Sequence, residues 1–354
     1  MAEVLGVGLT HYPLLAGKDS HMASLLKTTL KDPDIPAELK DPAAWSTTAQ
    51  KEWGDDEGVS AAVEHRAHLM ADVHKIRAAI DDFNPDVLIV WGDDQYENFR
   101  EEVIPSFCIL AYEDTVVHPF GVLDMIKVPN YWGLPSDTSF VMRGAPEFAK
   151  EAASQVLNSG VDVAYSYQPR EGIHFPHAFG NTQLFLDFDN VGAEFPYPMV
   201  PMAVNCYGEH VIARKGGIAR FADIAKGENL DPPGPTPRRC FEFGQAVGKL
   251  ARNSDKRVAL VASSSWSHAF LYDKGWHLRP DTESDLALYD AMVAGDYDTW
   301  NARTSRDVVD SGQHEILNWY CLLGAMDQLD MKLGWSDMVT TEIFNSNKAF
   351  AIFE

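Results

Sequence analysis

Short apolar runs alternate along the chain with longer stretches in which apolar positions recur every three or four residues. Val4–Leu9, Val87–Trp91, Ser106–Ala111, Val161–Tyr165, Met199–Cys206, Arg257–Ala262, Met338–Phe344 and Lys348–Phe353 read as strands. Residues 60–83 read as a helix, because Leu69, Val73, Ile76 and Ile80 follow one another at 4-3-4 spacing and share a face. Asn84-Pro85 ends it, since the position before proline disfavours the helical backbone. Residues 145–158, 240–251 and most of 282–328 carry the same helical rhythm. Two stretches lack a period: 18–58, with its KDPDIPAELKDP and KEWGDDEG segments, and 112–142, rich in aromatics, Pro and Gly. Both read as long loops. Strands alternating with helices predict an α/β fold, a central and mostly mixed sheet flanked by helices, in one catalytic domain over residues 1–354.

Composition narrows the setting. The chain has 354 residues, 45% of them hydrophobic, enough for a large core. Its 52 acidic against 29 basic residues give a net charge of −23, which repels phosphate backbones and anionic lipid. Nucleic-acid and membrane-surface roles are therefore not expected. No apolar run approaches the roughly 20 residues of a membrane span, and MAEVLGVGLTHYP lacks the basic start of a signal peptide. Cys108, Cys206, Cys240 and Cys321 are widely spaced and form no CxxC pair, so they read as reduced core thiols of a cytoplasmic protein.

Candidate chemistry collects where apolar strands end. LGVGLTHYP delivers His11, VLIVWGDDQYENF delivers Asp94 and Gln95, and VALVASSSWSHAF delivers His268. SGQHEILNW sets His314 and Glu315 at the start of a helix, where a carboxylate gains from the helix dipole. GIHFPHAFGNT adds His174 and His177, two imidazoles suited to proton transfer. Each alone has an ordinary structural explanation, such as a cap or a hydrogen-bonded loop. Together they suggest one pocket, because α/β sheets gather ligands at strand termini. His65 and His68 lie three apart on the 60–83 helix, off the stripe that Leu69 marks, and read as a solvated face. GxGxxG, Walker A, HExxH and GxSxG are absent, which argues against nucleotide binding, zincin chemistry and a serine nucleophile of the α/β-hydrolase kind.

His11, DDQYENF followed by VIPSFCI, GIHFPHAFGNT, VPMAVNCY, PPGPTPRRCFEFGQAV, SSSWSHAF and SGQHEILNWY, in that order, resemble the class III extradiol ring-cleaving dioxygenases of the protocatechuate 4,5-dioxygenase type. The resemblance runs over nearly the whole chain. It implies non-haem Fe(II) held by two His and one Glu, with O2 and a catechol-type aromatic, carboxylated or not, as co-substrates. Carried over, His11 and Glu315 are metal ligands, His268 is the acid/base histidine and His177 the second pocket histidine. The chain departs at the second ligating His, where Gln95 stands next to Asp94, the chemically better donor. Such a site is harder and richer in oxygen, so Mn, or no metal, are the alternatives to iron. Arg143, Arg170 and Arg238 are the candidate cations for a substrate carboxylate. A homodimer is the expected assembly. The rival readings are a non-oxidative hydrolase or lyase of a phenolic or keto compound, with or without a metal, and a non-catalytic binding protein on the same scaffold.

Overall fold

The computed structural model describes residues 3–170, 172, 175–217 and 229–354. Ten strands appear among them: β1 Val4–Leu9, β2 Val87–Asp93, β3 Phe107–Leu110, β4 Thr115–Val117, β5 Phe140–Met142, β6 Ala164–Ser166, β7 Met199–Val204, β8 Val258–Ser263, β9 Leu333–Val339 and β10 Lys348–Phe353. Eight form one sheet in the order β6-β3-β7-β2-β8-β1-β10-β9, and β4 and β5 pair as a separate antiparallel ribbon. Its centre is parallel: β2 pairs with β7 and β8, and β8 with β1. Antiparallel partners flank it, with β10 beside β1 and β3 beside β7. The sheet is therefore mixed, and the four parallel strands run their carboxyl ends out on one side.

Both faces of the centre are covered, which is why its strands read as continuous apolar runs. Successive side chains alternate between faces. Val87, Ile89 and Trp91 of β2 join a core layer with Phe243 and Val247 of the helix Pro237–Asn253 and Trp319 and Leu323 of the helix Leu317–Leu329. Leu88 and Val90 join the opposite layer with Leu69, Val73, Ile76 and Ile80 of the helix Val59–Phe83. The first two helices touch backbone to backbone: a Cβ on Gly244 would lie 1.8 Å from the Cys321 carbonyl oxygen, so only glycine fits there.

The periphery departs from the sequence reading. β6 begins three residues later than expected, and the closing strand lies at Leu333–Val339 rather than Met338–Phe344. Both are sheet edges, and most of β9 is only half-buried, so no apolar run marks it. Residues 18–58 contain the short helices Ser24–Thr29, Ala37–Lys40 and Thr47–Trp53, and 112–142 contains the β4–β5 ribbon. All four cysteines are buried and free. Among the described residues no helix is long and apolar enough to cross a membrane.

Candidate active site

The parallel strands deliver their chemistry to one place. His11 lies two residues beyond β1, Asp93 is the last residue of β2, and β8 leads through a serine-rich turn to His268. Glu315 sits in the short 3-10 turn His314–Ile316 that opens the helix Leu317–Leu329. His11 Nε2 is 3.5 Å from Asp93 Oδ1 and 3.5 Å from Glu315 Oε2, and His268 Nε2 is 3.5 Å from the same Glu315 oxygen. All four side chains are buried.

Each donor is held by its surroundings. His11 Nδ1 donates to the Ser263 carbonyl at 2.8 Å, which fixes the tautomer and leaves Nε2 as a lone-pair donor facing the carboxylates. Tyr207 donates its hydroxyl to Glu315 Oε1 at 2.5 Å, and the Ser264 hydroxyl reaches the Glu315 carbonyl at 2.9 Å. His268 is set by its backbone, whose N–H meets the Gly312 carbonyl at 2.9 Å. Gly312 has φ +63, and a Cβ there would lie 2.8 Å from the His268 carbonyl, so the two segments close only around glycine. Asp285 braces the same turn, accepting from the Ser267 N–H, the Gln313 amide at 2.7 Å and the Asn347 amide at 2.8 Å.

The residues present fit a divalent cation. One ligand atom each from His11, Asp93 and Glu315 lie within 4.8 Å of one another. Among the described residues Asp93 Oδ2 and Glu315 Oε2 are buried with no hydrogen-bond partner, a costly arrangement for carboxylates unless a cation faces them. Burial pushes the Asp93 carboxyl up to about 6. Burial, and then Asp93 itself, pushes Glu315 well above the usual carboxylate range. Burial and the neighbouring His177 hold His11 well below the ordinary imidazole range.

Two imidazoles beside this set are driven in opposite directions. Burial and then the Lys348 charge push His268 down to about 3. Burial would lower His177 as well, but the Glu97 carboxylate at 2.9 Å from Nδ1 outweighs it and raises His177 to about 9. Glu97 also accepts the His177 backbone N–H, one of the donors left free at the start of the helix His177–Leu186. The His177 ring stands edge-on to His11, centroids 5.1 Å apart.

Several expected residues lie elsewhere. The Asp94 carboxylate turns back to accept the N–H groups of Glu97, Asn98 and Phe99 at 2.9–3.3 Å, so it caps its own turn. Gln95 donates its amide to the Gly216 carbonyl at 2.6 Å, away from His11. Asp93 is the member of this segment that faces His11. Arg143 is exposed and donates to the Pro196 carbonyl, Arg170 is paired with Glu102, and Arg238 pairs with Glu242 on an exposed helix face. None of the three arginines joins the cluster. His174 lies outside the described residues. Asp93 and Glu97 are absent from the sequence reading. Asp93 shares its strand parity with Ile89 and Trp91, whose layer contains the helix that Glu315 opens, but this is visible only once β2 is extended to Asp93.

A family model described as the catalytic LigB subunit of aromatic ring-opening dioxygenase matches residues 230–351, which include His268 and Glu315. A 2,3-dihydroxyphenylpropionate/2,3-dihydroxicinnamic acid 1,2-dioxygenase of Pseudomonas putida is 29% identical over 197 residues, 55% of this chain and 48% of that protein. The enzyme of that name from Photorhabdus laumondii is 25% identical over 241 residues, 68% of this chain and 59% of its own. That from Rhodococcus jostii is 31% identical over 192 residues, 54% and 46% respectively. The chain thus spans about half the length of the curated relatives it matches. A solved structure of an uncharacterized Escherichia coli K12 protein aligns over 80% of this chain and 91% of its own, with a TM-score of 0.44 and 12% identity, a likeness too distant to add to the assignment. The chain is similar to these ring-cleaving dioxygenases, and its residues 230–351 match the LigB family model.

Proposed function

We propose that this protein is a metal-dependent dioxygenase that opens the ring of a catechol-type aromatic. The observation that carries the reading is the buried meeting of His11, Asp93 and Glu315, with carboxylate oxygens unpartnered among the described residues, in a chain similar to ring-cleaving dioxygenases. His11 Nε2, Asp93 and Glu315 would hold Fe(II); one imidazole and two carboxylates also suit Mn(II). A bound ion would supply Lewis acidity to the substrate hydroxyls and redox chemistry with O2.

The chain's own groups handle the protons. Imidazoles whose environments push them apart divide the acid and base roles. His268, neutral at pH 7 and set 3.5 Å from Glu315, is positioned to accept a proton from a substrate hydroxyl. His177, kept charged by Glu97, is the donor. Tyr207 fixes one Glu315 oxygen so that the other stays turned to His11 and His268. Because Arg143, Arg170 and Arg238 are engaged elsewhere, they lend no support to a carboxylated substrate.

The test is anaerobic loading with Fe(II) or Mn(II), followed by oxygen uptake on a panel of catechols. The expected result is one O2 consumed per ring opened, with a yellow product. Product formed without oxygen uptake would replace this reading by a hydrolase or lyase. No turnover with either metal would sink the catalytic reading.

A further inference from the structure

A second set of one imidazole and two carboxylates sits at the edge of the sheet. His68 and Asp72 are four residues apart on the helix Val59–Phe83, so they share a face. Asp337 comes from the edge strand β9. Candidate ligand atoms of the three lie within 4.8 Å of one another.

Inside the cluster His68 contacts Asp337 directly, and Asp72 lies against both, its carboxyl pushed up by burial and then by the Asp337 charge. His68 Nε2 is 2.6 Å from Asp337 Oδ2 but 3.7 Å from Asp72 Oδ2, beyond hydrogen-bonding distance. Asp72 is only 7% exposed, and its Oδ2 is buried with no hydrogen-bond partner among the described residues. Lys75, whose charge also acts on Asp72, rests with its Nζ 4.1 Å over the Trp335 ring. An unpartnered carboxylate oxygen that far from water is expensive unless a cation completes it. His68 is half-exposed and Asp337 partly so, which gives an ion a path in from solvent.

We infer that His68, Asp72 and Asp337 form a second divalent-cation site, separate from the active-site cluster, that takes a borderline ion of the Zn(II), Co(II) or Mn(II) class and clamps β9 to the helix Val59–Phe83. One imidazole and two carboxylates, with water filling the remaining positions, is an ordinary donor set for such ions. Bonds to such an ion are about 2.0–2.2 Å, so shifts of a fraction of an ångström in three side chains would seat it. The clamp has a structural task. β9 is the outermost strand, half-buried along most of its length, and it pairs on one side only. Edge strands of this kind need something to hold them down.

Co(II) is the probe, because its visible absorption reports tetrahedral or five-coordinate binding and it can be counted after gel filtration. The background is Glu315→Gln, which removes a donor from the active-site cluster. That variant is expected to keep one equivalent of Co(II) and to melt several degrees higher with the ion than without it. Adding His68→Ala or Asp337→Asn, both at partly exposed positions, should abolish the equivalent and the shift while circular dichroism stays the same. Equal Co(II) counts with and without His68 and Asp337 would overturn the site and leave a hydrogen-bonded His–Asp pair. If the active-site cluster takes no metal, wild type and Glu315→Gln bind equally, yet the loss on removing His68 remains, so the two failures are distinguishable.

Discussion

The active-site cluster and the edge cluster have the same donors, one histidine and two carboxylates, in opposite settings. His11, Asp93 and Glu315 are buried where parallel strands end, braced by Ser263, Tyr207, Ser264 and Asn318. His68 and Asp337 are open to water, and only Asp72 is buried. The difference teaches that ligand type alone does not decide what a site can do. Burial perturbs the basicity of the inner groups and excludes water, which catalysis needs, whereas the outer set can at most grip an ion and fasten two elements together.

That contrast can be broken most severely at Glu315. Glu315→Gln is expected to lose the cavity metal and ring-opening activity by more than roughly 100-fold, since partners one step outside a ligand already cost about 10–100-fold. His68→Ala should leave turnover within about twofold, given that surface changes away from a site have small effects. Metal content and oxygen uptake, measured side by side, check both; equal losses in the two variants would erase the distinction.

His268→Ala separates holding a metal from using it. Turnover is expected to fall by about 100-fold, the lower range for a positioned acid or base, with metal content unchanged. Single-turnover assays on the metal-loaded variant check this.

Asp285 tests whether the inner scaffold depends on burial. Burial raises this carboxyl from 3.8 to about 6 despite its hydrogen bonds to Gln313, Ser267 and Asn347. Its folded value lies above its unfolded one, so its contribution is complete below about pH 4 and is lost as pH rises through 6. At 1.36 kcal/mol per pH unit, the loss is on the order of 2–3 kcal/mol. Stability measured by urea unfolding from pH 4 to 7 should fall less steeply in Asp285→Asn than in wild type, by about that amount, the remaining slope coming from carboxyls such as Asp93.

The smallest effect is expected at Gln95. Gln95→His should leave metal affinity within about twofold, because the side chain at this position turns to Gly216 and a ligand must point at its metal to contribute. A large gain in Fe(II) affinity, measured by competition with a chelator, would show that the turn rearranges to bring position 95 inward.

The parallel centre of the sheet is legible in the sequence because strands covered on both faces must be apolar throughout. The edges are not, since half-exposed strands such as β9 mix Trp335, Ser336 and Asp337 without a run to mark them. His11, His268 and Glu315 stand out as polar groups breaking off from buried segments. Asp93 is hidden for the opposite reason. Ending β2 at Trp91 leaves Asp93 and Asp94 indistinguishable, and only the extension of the strand to Asp93 fixes which of them faces inward. Glu97 is chosen by a tertiary contact with His177, eighty positions along the chain, which no local pattern encodes. His65 and His68 look alike in sequence, yet His65 is buried 5.0 Å from Phe344 and His68 faces Asp337.

The inner donors come from three distant points of the chain: beyond β1, at the end of β2 and just before the helix Leu317–Leu329. On the ribosome the three are made in the order His11, Asp93 and Glu315, with more than two hundred residues between the last two. A nascent chain therefore lacks the third donor until Glu315 has been made. Under the proposed function a metal ion can be fully ligated only after that point, and chains halted before Glu315 would offer it two donors at most.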